Sequence, residues 1–136
     1  MKFLLDTKVF LWALSDEYKL NPAAQEILKS STSELYFSAV GSWEIAIEFA
    51  LGSLAPSEYI PHALRAWALR ALDITHKHAL RAGELPVHHR DPFDRMLIAQ
   101  ALSEQMTLLT ADRVFQKCKV DLIFCGKTRL PGPRRK

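Results

Sequence analysis

Asp91-Pro92-Phe93-Asp94-Arg95-Met96-Leu97-Ile98-Ala99-Gln100, followed shortly by Thr107-Leu108-Leu109-Thr110-Ala111-Asp112, is the stretch whose reading decides the fold. Asp91 is a helix cap, because its carboxylate can take free N–H groups of a first turn. Pro92 suits the first helical position, where a missing N–H costs nothing. The helix they open carries Phe93, Met96, Leu97, Ala99, Ala101 and Leu102, and puts Asp94 close to its N-terminus. Thr107–Leu109 then reads as a short strand and Asp112–Gln116 as a short helix behind it.

The same order recurs toward the start of the chain. Lys2–Leu5 is an apolar run that ends at Asp6, as a buried strand does. Thr7 can cap a helix to about Leu14, and Asn21-Pro22 opens another to about Ser31. Leu35-Tyr36-Phe37-Ser38 is a strand, after which Ser42 caps a helix through Trp43, Ile45, Ala46, Ile47, Phe49, Ala50 and Leu51, closed by Gly52. Pro56-Ser57 begins a helical stretch to about Leu69. Ala71–Ile74 is a short strand, Thr75 to Gly83 a short helix, Leu85–Arg90 a loop and Leu122–Phe124 the last strand. Trp12, Trp43 and Trp67 are expected to anchor the core. Strands alternating with helices predict an α/β fold, a three-layer α/β/α sandwich with a mostly parallel sheet.

The 136 residues, 49% hydrophobic and 24% charged, suit one domain over residues 1–125, with a basic tail at 126–136 containing Pro and Gly. Met1–Leu5 starts like a signal peptide, but Asp6 and Lys8 interrupt it. No apolar run reaches the ~18 residues a membrane span needs. A cytoplasmic protein is expected, with Cys118 and Cys125 as reduced thiols rather than a disulfide framework. The net charge of +3 belongs to the tail, where Lys127, Arg129, Arg134, Arg135 and Lys136 stand without an acid. The rest carries 13 basic against 15 acidic side chains, a balance of −2. The tail reads equally as a phosphate-binding arm or as a solubilising extension.

Four acids share one kind of address. Asp6 follows the first strand and Asp112 follows Thr107–Leu109. Glu44 falls in the first turn of the helix after the second strand, and Asp94 in the first turn of the helix before Thr107. In parallel α/β sheets, ligands bind beyond the carboxyl ends of strands, where strand order reverses. Each acid also has a plain explanation, since first-turn acids gain roughly 0.3–1 kcal/mol from the helix dipole and Asp91 and Asp112 can be simple caps. The four together argue for more. Clustered carboxylates raise one another's pKa unless a cation sits among them, and an all-oxygen set favours Mg2+ or Mn2+ over zinc. Thr7 and Thr110 can orient ligands or water, or act as caps. His76, His78, His88 and His89 lack zinc-like spacing. No dinucleotide, Walker or nucleophile-elbow motif occurs.

The chain resembles the PIN-domain family, in particular its small VapC-type toxins, from Lys2 to about Phe124. The resemblance rests on Leu5-Asp6-Thr7 leading to Phe10-Leu11-Trp12, on Ser42-Trp43-Glu44-Ile45-Ala46-Ile47, on Leu85-Pro86 through His88-His89-Arg90-Asp91-Pro92-Phe93-Asp94-Arg95-Met96-Leu97-Ile98-Ala99-Gln100, and on Leu108-Leu109-Thr110-Ala111-Asp112. It implies a ribonuclease that serves as the toxin of a bacterial toxin–antitoxin pair. Asp6, Glu44, Asp94 and Asp112 would be its catalytic, metal-holding quartet for Mg2+ or Mn2+, with Asp6 and Asp94 as direct ligands. It also implies an RNA substrate, a homodimer and a cognate antitoxin that lays a segment across the site. Lys8 stands where many relatives have His, and Glu48 where many have Lys. The alternative is a non-catalytic PIN-like module that binds RNA or protein. A phosphatase using Asp6 as acceptor fits less well, because Lys8 replaces the second acid it would want.

Overall fold

A computed structural model describes residues 1–52, 59–86 and 91–127, without the side chains of Tyr59 and Lys117. Its elements are β1 (Lys2–Leu5), α1 (Thr7–Ser15), α2 (Pro22–Lys29), β2 (Glu34–Ser38), α3 (Ala39–Ala50), α4 (Tyr59–Ala66), β3 (Arg70–Leu72), α5 (His76–Glu84), α6 (Pro92–Glu104), β4 (Thr107–Thr110) and β5 (Leu122–Phe124), with 3-10 turns at Glu17–Lys19 and Arg113–Lys117. The five strands lie in the order β3-β2-β1-β4-β5. All four pairings are parallel, so the expected mostly parallel sheet is wholly parallel. From β1 the chain steps to β2 and β3 on one side and later to β4 and β5 on the other. Strand order therefore reverses between β1 and β4.

Two apolar layers explain why the sheet is covered on both faces. Phe3, Leu5, Leu35, Phe37 and Leu109 point one way, into Val9, Phe10 and Ala13 of α1, Ala24 and Leu28 of α2 and Ile60 and Ala63 of α4. Leu4 and Leu108 point the other way, into Leu97, Ile98 and Ala101 of α6 and into Phe115. This is the period of two that a strand imposes. Phe10 and Phe37 stack at 3.8 Å between ring centroids and fix α1 on β2. A Cβ on Gly41 would come within 2.5 Å of the Phe37 ring, so only glycine lets α3 pass this close. Burial of side chains of this size stabilises by roughly 1.5–3 kcal/mol each.

Several expected boundaries move. Asp6, not Thr7, caps α1: its carboxylate accepts the Val9 N–H at 2.8 Å, so the helix begins one residue earlier. Ser38, not Ser42, caps α3, because the last residue of β2 already offers its hydroxyl oxygen to the Val40 N–H at 3.0 Å. Glu44 therefore lies in the second turn of α3 rather than the first. The third strand is Arg70–Leu72 instead of Ala71–Ile74, and the helix after Asp112 is a 3-10 turn. Trp43 is not a core anchor: it is 58% exposed and meets the Phe93 ring edge-on at 5.1 Å. Trp12 and Trp67 are half-buried against the core. Of the expected helix from Pro56, the part before Tyr59 lies outside the described residues, as do residues 87–90 of the expected loop and 128–136 of the tail. Cys118 and Cys125 are free, and burial pushes the Cys125 thiol up to about 12. Among the described residues no helix is long and apolar enough to cross a membrane.

Candidate active site

The switch between β1 and β4 is where Asp6 stands. Leu5 pairs with Leu109, and the Asp6 N–H donates to the Leu109 carbonyl at 3.0 Å, which carries the ladder one residue past β1. The side chain is buried, 6% exposed. Its Oδ1 accepts the Val9 N–H; its Oδ2 accepts the Thr110 hydroxyl and the Ala111 N–H at 3.3 Å. Three of the roughly four lone-pair sites of a carboxylate are thus taken, and one is left for a further partner. Burial pushes the Asp6 carboxyl above its ordinary 3.8, and the nearby Asp112 adds to the push, while the hydrogen bonds from Thr110, Val9 and Ala111 oppose it. Thr110, a Thr that sequence left as orienter or cap, acts on both counts: its oxygen also accepts the Asp112 N–H at 3.0 Å.

Asp112 is the N-cap of the Arg113 turn, with its carboxylate on the Val114 N–H at 3.0 Å, and it is exposed. Its second role is electrostatic, in the field it exerts on Asp6. Glu44, half-buried on α3, accepts the Thr7 hydroxyl at 2.6 Å. That bond ties the first residue of α1 to α3. Burial raises the Glu44 carboxyl, and Asp91 and Glu48 push it further in the same direction. Asp94 stands in the first turn of α6, whose cap Asp91 accepts the Phe93 and Asp94 N–H groups at 2.8 and 3.3 Å. The Trp43–Phe93 contact brings the sequence neighbours of Glu44 and Asp94 together. Asp94 is also close enough to Cys118 to help raise that thiol, after the larger effect of burial.

The expected acids therefore ring one edge of the sheet, in the order Glu44 by Thr7, Asp6 by Thr110, then Asp112. Among the described residues no three His, Cys, Asp or Glu side chains are grouped closely enough to hold one metal ion together. Asp91 was expected only as a cap, and its field on Glu44 has no sign in the sequence. The donor chemistry nevertheless fits a hard divalent cation. Asp6 and Glu44 are oxygen donors whose negative charge is disfavoured by burial and by other acids, a cost that a cation would relieve. Magnesium also takes one or two protein carboxylates and keeps several waters, so it does not need three convergent acids.

The PIN-domain pattern matches residues 3–120, which spans both strands at the switch and all four acids. The chain belongs to the PIN-domain family. PIN folds of known structure superpose over most of it. VapBC from Salmonella typhimurium, solved bound to DNA, matches with a TM-score of 0.68 at 23% identity, covering 91% of this chain and 98% of that one. VapBC2 from Rickettsia felis, solved with a fragment of its promoter DNA, gives 0.67 at 17% identity over 92% and 99%. FitAcB from Neisseria gonorrhoeae gives 0.63 at 21% identity over 89% and 96%. No curated protein matches the chain in sequence.

Proposed function

We propose that this PIN domain is a Mg2+- or Mn2+-dependent endoribonuclease, the toxin of a bacterial toxin–antitoxin pair acting in the cytoplasm. The observation that carries the reading is the buried Asp6 carboxylate at the strand-order switch, hydrogen-bonded from β4 and pressed by Asp112. A charge held there at the expense of desolvation is a poor choice for stability and a good one for a cation. Asp6 and Asp94 would hold the ion, with Glu44 and Asp112 positioning water or a second ion. When bound, the ion supplies a water of lowered pKa and offsets charge on the phosphate oxygens. The protein's own share is orientation. Thr110 and Ala111 fix the rotamer of Asp6, and Thr7 fixes that of Glu44.

The matches to VapBC complexes support a protein antitoxin as partner, and a homodimer is the assembly we propose with it. Trp43 and Ile47 on α3 and Leu51 at its C-cap, all exposed, offer a second chain an apolar face. The balance of −2 outside the tail favours the alternative, a non-catalytic module that binds RNA or protein, since general RNA binders are usually more basic.

Incubation of purified protein with total bacterial RNA separates the two. Discrete products that appear with Mg2+ or Mn2+, vanish with EDTA and vanish in a folded Asp94→Asn protein are expected. RNA binding without products in every metal would leave the binding module.

A further inference from the structure

Beyond the acids, the row at the sheet's carboxyl edge has a third member. Thr110 pairs with Phe124 of β5, and Asp6 lies on the other side of Thr110, so Asp6, Thr110 and Phe124 cross three adjacent strands. The guanidinium carbon of Arg113 lies 4.1 Å from the centroid of the Phe124 ring. Arg113 is the residue after Asp112 and the first of its 3-10 turn. Two strand spacings separate the Phe124 position from Asp6, which is about 10 Å.

The cation is exposed and, among the described residues, in no ion pair, whereas Lys29 is engaged by Glu17 and Arg70 by Glu34. An aromatic face under a guanidinium covers one side and leaves the planar fork of N–H donors free at its edges. That pre-orients it for two oxygens of one phosphate with little further loss of side-chain freedom. The surroundings make such a group necessary. The carboxylates beside it repel an approaching polyanion, and a fixed cation one phosphate away offsets that repulsion without neutralising Asp6 itself.

We infer that Arg113, held over the ring of Phe124, grips an RNA phosphate next to the one that is cut and sets the register of the strand across Asp6. The inference rests on the ribonuclease reading and deepens it. Arg113 touches a non-reacting part of the substrate, so it governs binding and the choice of bond rather than the chemical step.

The test compares wild type, Arg113→Ala, Arg113→Lys and Phe124→Leu. Binding of a fluorescein-labelled single-stranded RNA oligonucleotide is measured in EDTA across a salt series, and cleavage of the same oligonucleotide in Mg2+. Arg113→Ala is expected to weaken binding about tenfold and to raise KM by a similar factor, with kcat within about threefold. Its plot of log affinity against log salt is expected to be shallower by about 0.7, the loss of one single-strand phosphate contact. Arg113→Lys keeps the salt slope but loses part of the affinity, and Phe124→Leu weakens binding about threefold through the untethered arginine. An Arg113→Ala protein that binds and cleaves as wild type does, with the same slope, overturns the inference and leaves the nuclease standing. A wild type that neither binds nor cuts RNA overturns both.

Discussion

Asp6 and His78 are both buried titratable residues, 6% and 1% exposed, and the chain treats them in opposite ways. Around Asp6 every described partner is a donor: two backbone N–H groups and the Thr110 hydroxyl, all aimed at one carboxylate. Around His78 the roles are shared. Its Nδ1 accepts the Thr75 N–H at 3.1 Å and faces the Gln100 amide nitrogen at 3.4 Å, which leaves the ring proton on Nε2, donated to Glu104 at 2.8 Å. The ring ties α5, through its cap Thr75, to α6. The first arrangement keeps a charge where burial resists it. The second joins two helices through a shared set of donors and acceptors, and on α6 beside it Gln100 Oε1 and Ser103 Oγ have no hydrogen bond among the described residues. The Asp6 cluster, which the proposed function assigns to an ion, is made of donors alone. A cluster built to join two helices balances donors and acceptors.

Substituting Asp6 by Asn tests the first half of this contrast and should have the largest effect. Cleavage should fall by about a thousandfold or more, the loss expected when a group acting in the transition state is removed. Stability should show a pH dependence of opposite sign to that of a salt-bridged acid. Because the folded Asp6 titrates above its ordinary 3.8, ionisation is harder in the fold than in the unfolded chain. Wild type thus bears no penalty at about pH 3, where both states are protonated, and an increasing one as pH rises through the folded value. The amide NH2 of Asn must face one of the three donors, a fixed cost, so the expected signature in EDTA is the pH dependence: wild type should lose stability relative to Asp6→Asn as pH rises from about 3 to 7. Mg2+ should raise the wild-type melting temperature and leave the variant where it was. A stability difference that does not change between about pH 3 and pH 7 would contradict the desolvated-charge account.

His78→Ala breaks the second half. It removes a buried ring and strips partners from Thr75 and Glu104, at a cost of about 2–4 kcal/mol. Melting should drop by roughly 3–5 °C per kcal/mol. Cleavage per folded molecule should stay within about twofold of wild type; loss of activity at full folding would make His78 part of the site. A smaller effect is expected at Thr7→Val, which takes the 2.6 Å donor from Glu44. That donor lowers the Glu44 carboxyl against burial, Asp91 and Glu48, so its loss raises the group further and shifts the acid limb of the cleavage profile to higher pH. The rate at neutral pH should fall about three- to tenfold. The smallest is Gln100→Met, which removes an oxygen that has no partner and two long donor contacts, and should change stability by less than about 1 kcal/mol.

The strands of the central sheet and the cap-proline starts of α2 and α6 were legible because each has a local cause: apolar runs with a period of two, and Asn or Asp before proline. The parallel sheet followed from their alternation with helices. Ser38 was missed as the cap of α3 because two serines, at 38 and 42, offer the same chemistry. The choice depends on where β2 ends in the sheet. Trp43 was misplaced because an apolar run on a helix does not say which side a neighbour covers. At the site, the addresses of Asp6 after β1 and of Asp112 after β4 followed from position alone. What each carboxylate already holds did not, as with Asp112 on the Val114 N–H. Asp91 acting on Glu44, and Arg113 resting on Phe124, join residues from different elements and have no trace in local sequence.

The partners that hold Asp6 come from the far end of the chain, Thr110 and Ala111, 104 and 105 residues later. The central strand β1 is made first among the strands, yet one of its two neighbours, β4, follows only after α6. During synthesis, therefore, β1 waits half-paired, and Asp6 has neither its hydroxyl donor nor Asp112 until most of the domain has left the ribosome. Fragments released by a broken or prematurely stopped message carry Asp6 and Glu44 but no organised edge. If the chain cuts RNA as proposed, this ordering keeps the site unfinished for nearly the whole time its own message is being read.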